Sequence, residues 1–275
     1  MINDKHNPLR RAAYPLAVSN GKTLIVSSGM GGQYVGKLET KFDADGHICN
    51  YSGDSIPITA TVQNNEEALK IISEAQKDIG SLLSEKITTL PNAYGYTPNR
   101  NYCSEECGVG EYLTFLLAQE YSEIDGVVIN SGAIRSALPD GDITLNHILE
   151  IYPYDSPAVL IELTGRKLKK YLRHGIIHYR KNNKTNELLQ TAGISYEFTA
   201  DNKQIRSITI NGKELEDEKK YTLLTSSFLA DGGDGFPILP YKDTGKTIRE
   251  ILTRQLKNPH NRHYEMHRNV RVDSR

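Results

Sequence analysis

Four stretches of the chain combine residue types that can hold a small polar ligand. Asn130-Ser131-Gly132-Ala133-Ile134-Arg135 ends the apolar run Gly126 to Ile129 with small residues, which let a ligand approach the backbone. Arg135 adds a permanent cation whose planar fork of donors suits phosphate. The same letters also read as a strand-to-helix turn with a surface arginine. Pro153-Tyr154-Asp155-Ser156-Pro157 holds an aromatic ring in a rigid loop, suited to a flat stacking partner or to a core position at a turn. Phe228 to Pro237 (FLADGGDGFP) sets glycines and carboxylates directly after an apolar run, an arrangement expensive in backbone entropy unless it serves a purpose. There Phe228 offers a second stacking face, and Asp234 a carboxylate that can accept from ribose hydroxyls. A calcium loop is disfavoured, because the carboxylates lack EF-hand spacing and no bidentate Glu closes the loop. His174 and His178 stand i and i+4 on one helix face, a metal-binding geometry without the acidic residue of the zinc-protease motif; surface histidines are the simpler reading.

Gly31 to Lys37 (GGQYVGK) matches a phosphate-binding loop up to its lysine, but Leu38 follows where a hydroxyl is needed. The next residues alternate like a strand instead of opening a helix, so the match is rejected. Cys103 and Cys107 lie four apart with no second pair or histidine at zinc-finger spacing. With Cys49 they make three cysteines, which cannot all pair, and this points to a reduced compartment or free buried thiols. The sequons at Asn50 and Asn183 carry little meaning without a secretory signal.

These stretches sit on a legible series of elements. Lys22 to Ser28 and Tyr34 to Phe42 read as strands, Asp45-Gly46 as a hairpin turn, and a third strand runs toward Ile56-Pro57-Ile58. Three uncovered strands look like the end of something larger. Asn64 to Leu83 switches to helical spacing through Leu69, Ile72, Ala75, Ile79 and Leu82, with an acidic start, and marks a domain boundary. Beyond it come helices at Glu106 to Tyr121, Ile143 to Ile151, Arg166 to Ile177 and Thr247 to Leu256. Strands are predicted at Gly126 to Ile129, Ala158 to Leu163, Ile194 to Phe198, Ile205 to Ile210 and Tyr221 to Ser226, with turns at Asp201-Asn202 and Asn211-Gly212. Asn99-Arg100 and Lys181 to Thr185 read as exposed loops. The pattern predicts an α/β (α+β) fold, mixed sheets layered with helices.

The composition excludes several classes. Thirty-three basic against 34 acidic residues leave a net charge of −1, giving no electrostatic case for a nucleic-acid partner or an anionic membrane. No apolar run approaches the roughly 20 residues needed to span a bilayer, and the first residues have no signal-peptide core, so location stays unknown.

Taken in order, the motifs resemble the C-terminal domain of the metallophosphatase-type 5'-nucleotidase family, which includes UDP-sugar hydrolases and 2',3'-cyclic phosphodiesterases. Asn130 to Leu138 (NSGAIRSAL) is similar to its N-G-G-G-I-R stretch, Gly141 to Thr144 to G-D-I-T, and Pro153 to Ser156 to P-F-G-N. Glu162 to Gly165 resembles E-L-T-G, Thr209 to Lys213 V-N-G-K, and Phe228 to Pro237 F-L-A-x-G-G-D-G-Y-P. Six motifs in the right order span residues from about 86 to the C-terminus. Val26 to Ile58 resembles the closing strands of the family's metallophosphatase domain and Asn64 to Leu83 its interdomain helix. The expected layout is therefore a remnant of that domain over 1–60, a linker helix over 61–85 and the substrate-binding domain over 86–275.

The resemblance implies a substrate pocket of Tyr154, Phe228, Asp234, Arg135, Asn130, Ser156 and Gly233. Tyr154 and Phe228 would clamp the base, Asp234 would bind ribose, and Arg135 with Asn130 would face sugar and phosphate. The partner implied is a small nucleoside or nucleotide. The family's G-H-x-H metal motif belongs shortly before Tyr14-Pro15, where this chain offers only His6. A centre of two divalent ions, zinc or manganese, needs several carboxylates and histidines. The chain by itself is thus expected to hold no metal, supply no catalytic residue and release no phosphate, with a metallophosphatase domain missing from its N-terminal side. Tyr154 stands where the family has Phe, Ser156 where it has Asn or Gly, and Asn99 to Gly110 offers only Arg100 beside Glu105 and Glu106. This departure predicts that nucleosides bind nearly as well as their monophosphates. A free-standing nucleoside-binding protein and a scaffold with a vestigial pocket, its anions repelled by Glu105 and Glu106, are the alternatives.

Overall fold

The computed structural model describes residues 14–18, 23–29, 32–95, 106–181, 188–199 and 204–273, and divides into two compact units, Met1–Lys77 and Asp78–Arg275. In the first unit β1 (Leu16–Val18) and β2 (Thr23–Ile25) pair antiparallel, and β3 (Tyr34–Phe42) and β4 (Ile48–Pro57) form a longer hairpin. The hairpin turns at Asp45-Gly46, where Gly46 has φ +82° and Asp43 Oδ1 accepts the N–H groups of Asp45 and His47 at 3.0 and 2.8 Å. Because Tyr34 to Phe42 is strand, the phosphate-loop match is dismissed on structure as well. Helix α1 (Glu66–Leu83) begins on Asn65, whose side chain accepts from the N–H of Ala68 at 2.9 Å. Val35 and Phe42 of the hairpin and Leu69, Ile72 and Ile79 of the helix are all exposed.

The second unit runs β5 (Lys86–Leu90), α2 (Gly108–Ala118), β6 (Gly126–Asn130), β7 (Gly141–Thr144), α3 (Leu145–Ile151), β8 (Pro157–Thr164) and α4 (Gly165–Lys181). It continues with β9 (Leu189–Ala192), β10 (Ile194–Thr199), β11 (Ile205–Ile210), β12 (Lys213–Glu214), β13 (Lys220–Ser226), α5 (Ser227–Ala230), β14 (Tyr241–Thr247), α6 (Ile248–Lys257) and β15 (Val270–Asp273). Five strands form a mixed sheet of order β14-β8-β13-β6-β9, and four form β12-β11-β10-β15.

The central sheet is buried on both faces, which explains why its strands read as unbroken apolar runs. Period-two alternation sends Val127, Ile129, Ala158 and Leu224 into one core with α2, α3 and α6. Val128, Val159, Ile161 and Leu223 go to the other, with α4 and the four-stranded sheet. This is the expected α+β layering of mixed sheets and helices.

Several expectations are corrected. The helix predicted from Glu106 begins at Gly108, because Cys107 is extended at φ −125°, and it ends at Ala118. Ile143 belongs to β7, paired with β5, and α3 starts at Leu145 behind a capping box of Thr144 and His147. Cys107 is disulfide-bonded while Cys49 is free and exposed, against the expectation of free buried thiols. Strands β5, β9, β14 and β15 went unpredicted, being short and paired with partners far along the chain, as Val270 is with Tyr196. His6, Asn99-Arg100, Cys103, Glu105, Asn183 and the turn at Asp201-Asn202 lie outside the described residues, as does the side chain of His178.

Candidate functional site

The predicted site residues converge on one end of the central sheet. Ser226, the last residue of β13, lies opposite Ala158 at the start of antiparallel β8. β6 runs parallel to β13, with Val127 beside Leu224, so Asn130 leaves the sheet at that same end. The loop carrying Tyr154 enters β8 there, and the segment carrying Phe228 leaves β13 there. Adjacent strands lie about 5 Å apart, so the two loops root side by side. The carboxyl ends of the parallel pair, β6 and β13, meet at this end of the sheet.

Tyr154 is 39% exposed. Its ring meets Tyr152 edge-on, centroids 5.9 Å apart, and its hydroxyl accepts a hydrogen bond from Arg135 Nη2, whose guanidinium carbon also lies 5.4 Å from the ring centroid. Tyr152 is buried, and burial pushes its phenol up to about 12 even though Ser156 and Ser226 pull the other way. Ser156 anchors the loop through its carbonyl, which accepts from Ile248 N–H at 3.0 Å. Asp155 pairs with Arg249 at 2.8 Å.

Phe228 is 46% exposed on α5, whose N-cap is Ser226. Its ring lies so close to Gly233 that a Cβ there would stand 2.5 Å from it, hence the glycine. Gly232, Asp234 and Gly235 all have positive φ, +90°, +54° and +76°. In this left-handed conformation Asp234 points its carboxylate at Asn130, accepting Nδ2 at 2.9 Å. Asn130 is 4% exposed, and its Oδ1 has no hydrogen-bond partner among the described residues.

The structure thus joins Asn130 to Asp234, Arg135 to Tyr154, and Phe228 to Gly233, and places Ser156 at the root of the Tyr154 loop. Among the described residues no ring contact links Tyr154 to Phe228. His174 departs from the expectation of a surface histidine: it is half-buried, packs on Phe236 with centroids 4.4 Å apart, and lies 3.2 Å from the Asp234 carbonyl. No local signal exposes that role, since α4 and the glycine loop are 60 positions apart. Glu106 is engaged by the C-terminal segment. Its carboxylate accepts from Asn269 N–H at 2.5 Å, and burial raises it to about 7.

A separate groove of about 460 Å³ lies along α6, lined by Asp155, Thr247, Arg249, Arg254 and Lys257 but by neither aromatic ring. Its cations are matched by Asp155, Glu120 and Glu85. The convergent loops carry more chemistry than this groove.

The family model described as "5'-nucleotidase, C-terminal domain" matches residues 86–241. The chain is 25% identical over 258 residues to the trifunctional nucleotide phosphoesterase protein YfkN of Bacillus subtilis, covering 86% of this chain and 17% of that protein. It is 27% identical over 255 residues to a 5'-nucleotidase-related protein of Glossina morsitans morsitans, covering 84% of this chain and 45% of the relative. Among solved structures, the 5'-nucleotidase precursor of Thermus thermophilus superposes with TM-score 0.70 at 23% identity, over 94% of this chain and 54% of that one. A putative 5'-nucleotidase of Staphylococcus aureus gives TM-score 0.71 at 17% identity, with the same coverage of both chains. The chain therefore spans less than half of these curated relatives and about half of the solved structures. By the order of its motifs, by its fold and by the family model matched over more than half its length, the chain belongs to the 5'-nucleotidase C-terminal domain family.

Proposed function

We propose that this chain is the nucleotide-recognition portion of a 5'-nucleotidase-family phosphohydrolase, and that it binds a nucleoside or nucleotide at the end of the central sheet. The observation that carries the reading is the convergence there of two half-exposed rings, Tyr154 and Phe228, with the Asn130–Asp234 pair. The rings stack on the base, each face contributing about 1–3 kcal/mol. Asp234, backed by Asn130 Nδ2, takes the ribose hydroxyls, and Arg135 faces the phosphate side.

On this reading residues 1–60 are the closing strands of a metallophosphatase domain, 61–85 the linker helix and 86–275 the substrate-binding domain. The exposed apolar side chains of β3, β4 and α1 support it, since a hairpin and helix without a core need a larger body to pack against. The two divalent ions belong to that larger body. Among the described residues the one candidate cluster, Asp43, Asp45 and His47, does not fit them: three ligands at a hairpin tip are too few for two ions, and Asp43 already caps the turn.

Calorimetry on this chain tests the reading. Adenosine and AMP are expected to bind with similar Kd, roughly 10 µM to 1 mM, because two stacks must offset the cost of association. Phe228→Ala is expected to weaken both about tenfold or more. No heat at millimolar ligand overturns the proposal. Phosphate release from AMP with added Mn²⁺ or Zn²⁺ is expected to stay at background; turnover would place catalysis in this chain.

A further inference from the structure

His174 projects from α4 toward the glycine loop and touches it in three ways. Its ring packs on Phe236, centroids 4.4 Å apart; a Cβ on Gly235 would meet it at 3.7 Å; and its Nε2 lies 3.2 Å from the carbonyl oxygen of Asp234. A carbonyl oxygen only accepts, so Nε2 must carry the hydrogen and donate. The residue whose carbonyl is held has φ +54°, a left-handed conformation that Asp tolerates better than most side chains but that is still uncommon, in a loop where Gly232 and Gly235 also have positive φ. Locally, the loop is turned by Gly235 N–H donating to the Gly232 carbonyl at 3.2 Å and Phe236 N–H to the Gly233 carbonyl at 3.1 Å. Tertiary contacts then fasten it to the rest of the fold: Phe236 is buried against Tyr171 and His174, and the Asp234 carboxylate receives Asn130 Nδ2 at 2.9 Å. Asp234 is thus gripped at both ends, its carbonyl from α4 and its carboxylate from the end of β6.

We propose that His174 is a positioning residue of the nucleoside site, holding the Asp234 backbone so that the carboxylate reaches the ribose hydroxyls. The proposal rests on the nucleoside reading of the site given above. His174 touches no ligand itself; it acts on the sugar through Asp234 and leaves base stacking alone. Its effect therefore falls on ligands with ribose hydroxyls and spares those without them.

The experiment compares adenosine with 2',3'-dideoxyadenosine by calorimetry on the full chain, wild type against His174→Phe and His174→Gln. The phenylalanine keeps a ring on Phe236 but has no donor, whereas the glutamine restores an N–H at similar reach. The wild type is expected to prefer adenosine about tenfold, the preference to vanish in H174F, and H174Q to recover it to within about threefold. Because both ligands meet the same sample, a reduced folded fraction lowers both titrations and leaves the ratio intact. Should H174F not fold, His174→Met gives the same donor-free ratio. A preference that survives loss of the donor, or is not rescued by H174Q, overturns the inference. A wild-type ratio near one overturns the ribose role of Asp234 and this inference with it. Absence of binding by either nucleoside overturns instead the reading of the whole site.

Discussion

Arg135 and Tyr154 show how one substitution alters what a neighbour can do. The resemblance places Phe at position 154; the tyrosine keeps the stacking face and adds an oxygen, and Arg135 donates to that oxygen. A guanidinium engaged by a phenol is less able to grip a phosphate. Tyr154→Phe removes the acceptor while keeping the ring. It is expected to tighten AMP relative to adenosine by roughly fivefold, about the net worth of one ordinary hydrogen bond, read as the ratio of the two Kd values. An unchanged ratio would show that Arg135 does not face the phosphate. At this scale the residue types were legible in the sequence, but their pairings were not. Asn130 meets Asp234 across 104 positions, and His174 meets the same loop across 60. Side-chain spacing along a chain carries information about neighbours on one element only, so such contacts leave no local mark.

Among the elements, α2 and the C-terminal segment make the least anticipated connection. Just ahead of α2, Glu106 takes the N–H of Asn269, next to β15, and on α2 itself the buried Glu111 accepts from Tyr264 and from Arg268 N–H. Burial raises the Glu106 carboxyl from its ordinary 4.5 to about 7, the nearby negative charge of Glu111 adds to this, and the backbone N–H groups of Val270 and Asn269 pull it down. The folded chain therefore holds this proton more tightly than the unfolded one. The stabilisation is complete below about pH 4.5, is lost as pH rises toward 7 and is flat above. Glu106→Gln should flatten that slope: the fall in Tm between pH 5 and pH 8 is expected to be smaller in the variant, and equal slopes would refute the assignment. The helices themselves, and the central strands, were readable from period and caps. Strands β5, β7, β9, β14 and β15 were not, because four to seven residues specify a strand only once a partner edge is present.

For the whole molecule, both buried apolar clusters lie from Ile87 onward, whereas the hairpin and α1 expose Val35, Phe42, Leu69 and Ile71. A chain of residues 86–275 is therefore expected to melt cooperatively by itself. In the full chain, residues 32–65 are expected to exchange their amide hydrogens at least about a hundredfold faster than β6 or β13, as measured by hydrogen exchange. Equal protection would show that the hairpin has a core of its own. The amino-acid sequence by itself determined the fold class, the buried central strands and the kinds of side chain at the site, since apolar period, turn chemistry and motif order are local properties of the chain. Only the tertiary structure decided that Asn130, Tyr154, Phe228 and Asp234 gather at one end of one sheet. It alone decided, too, that a histidine on a distant helix holds the aspartate in place. Strand order and direction arise from burial and hydrogen bonding between segments far apart in the chain, and no window of residues contains both partners.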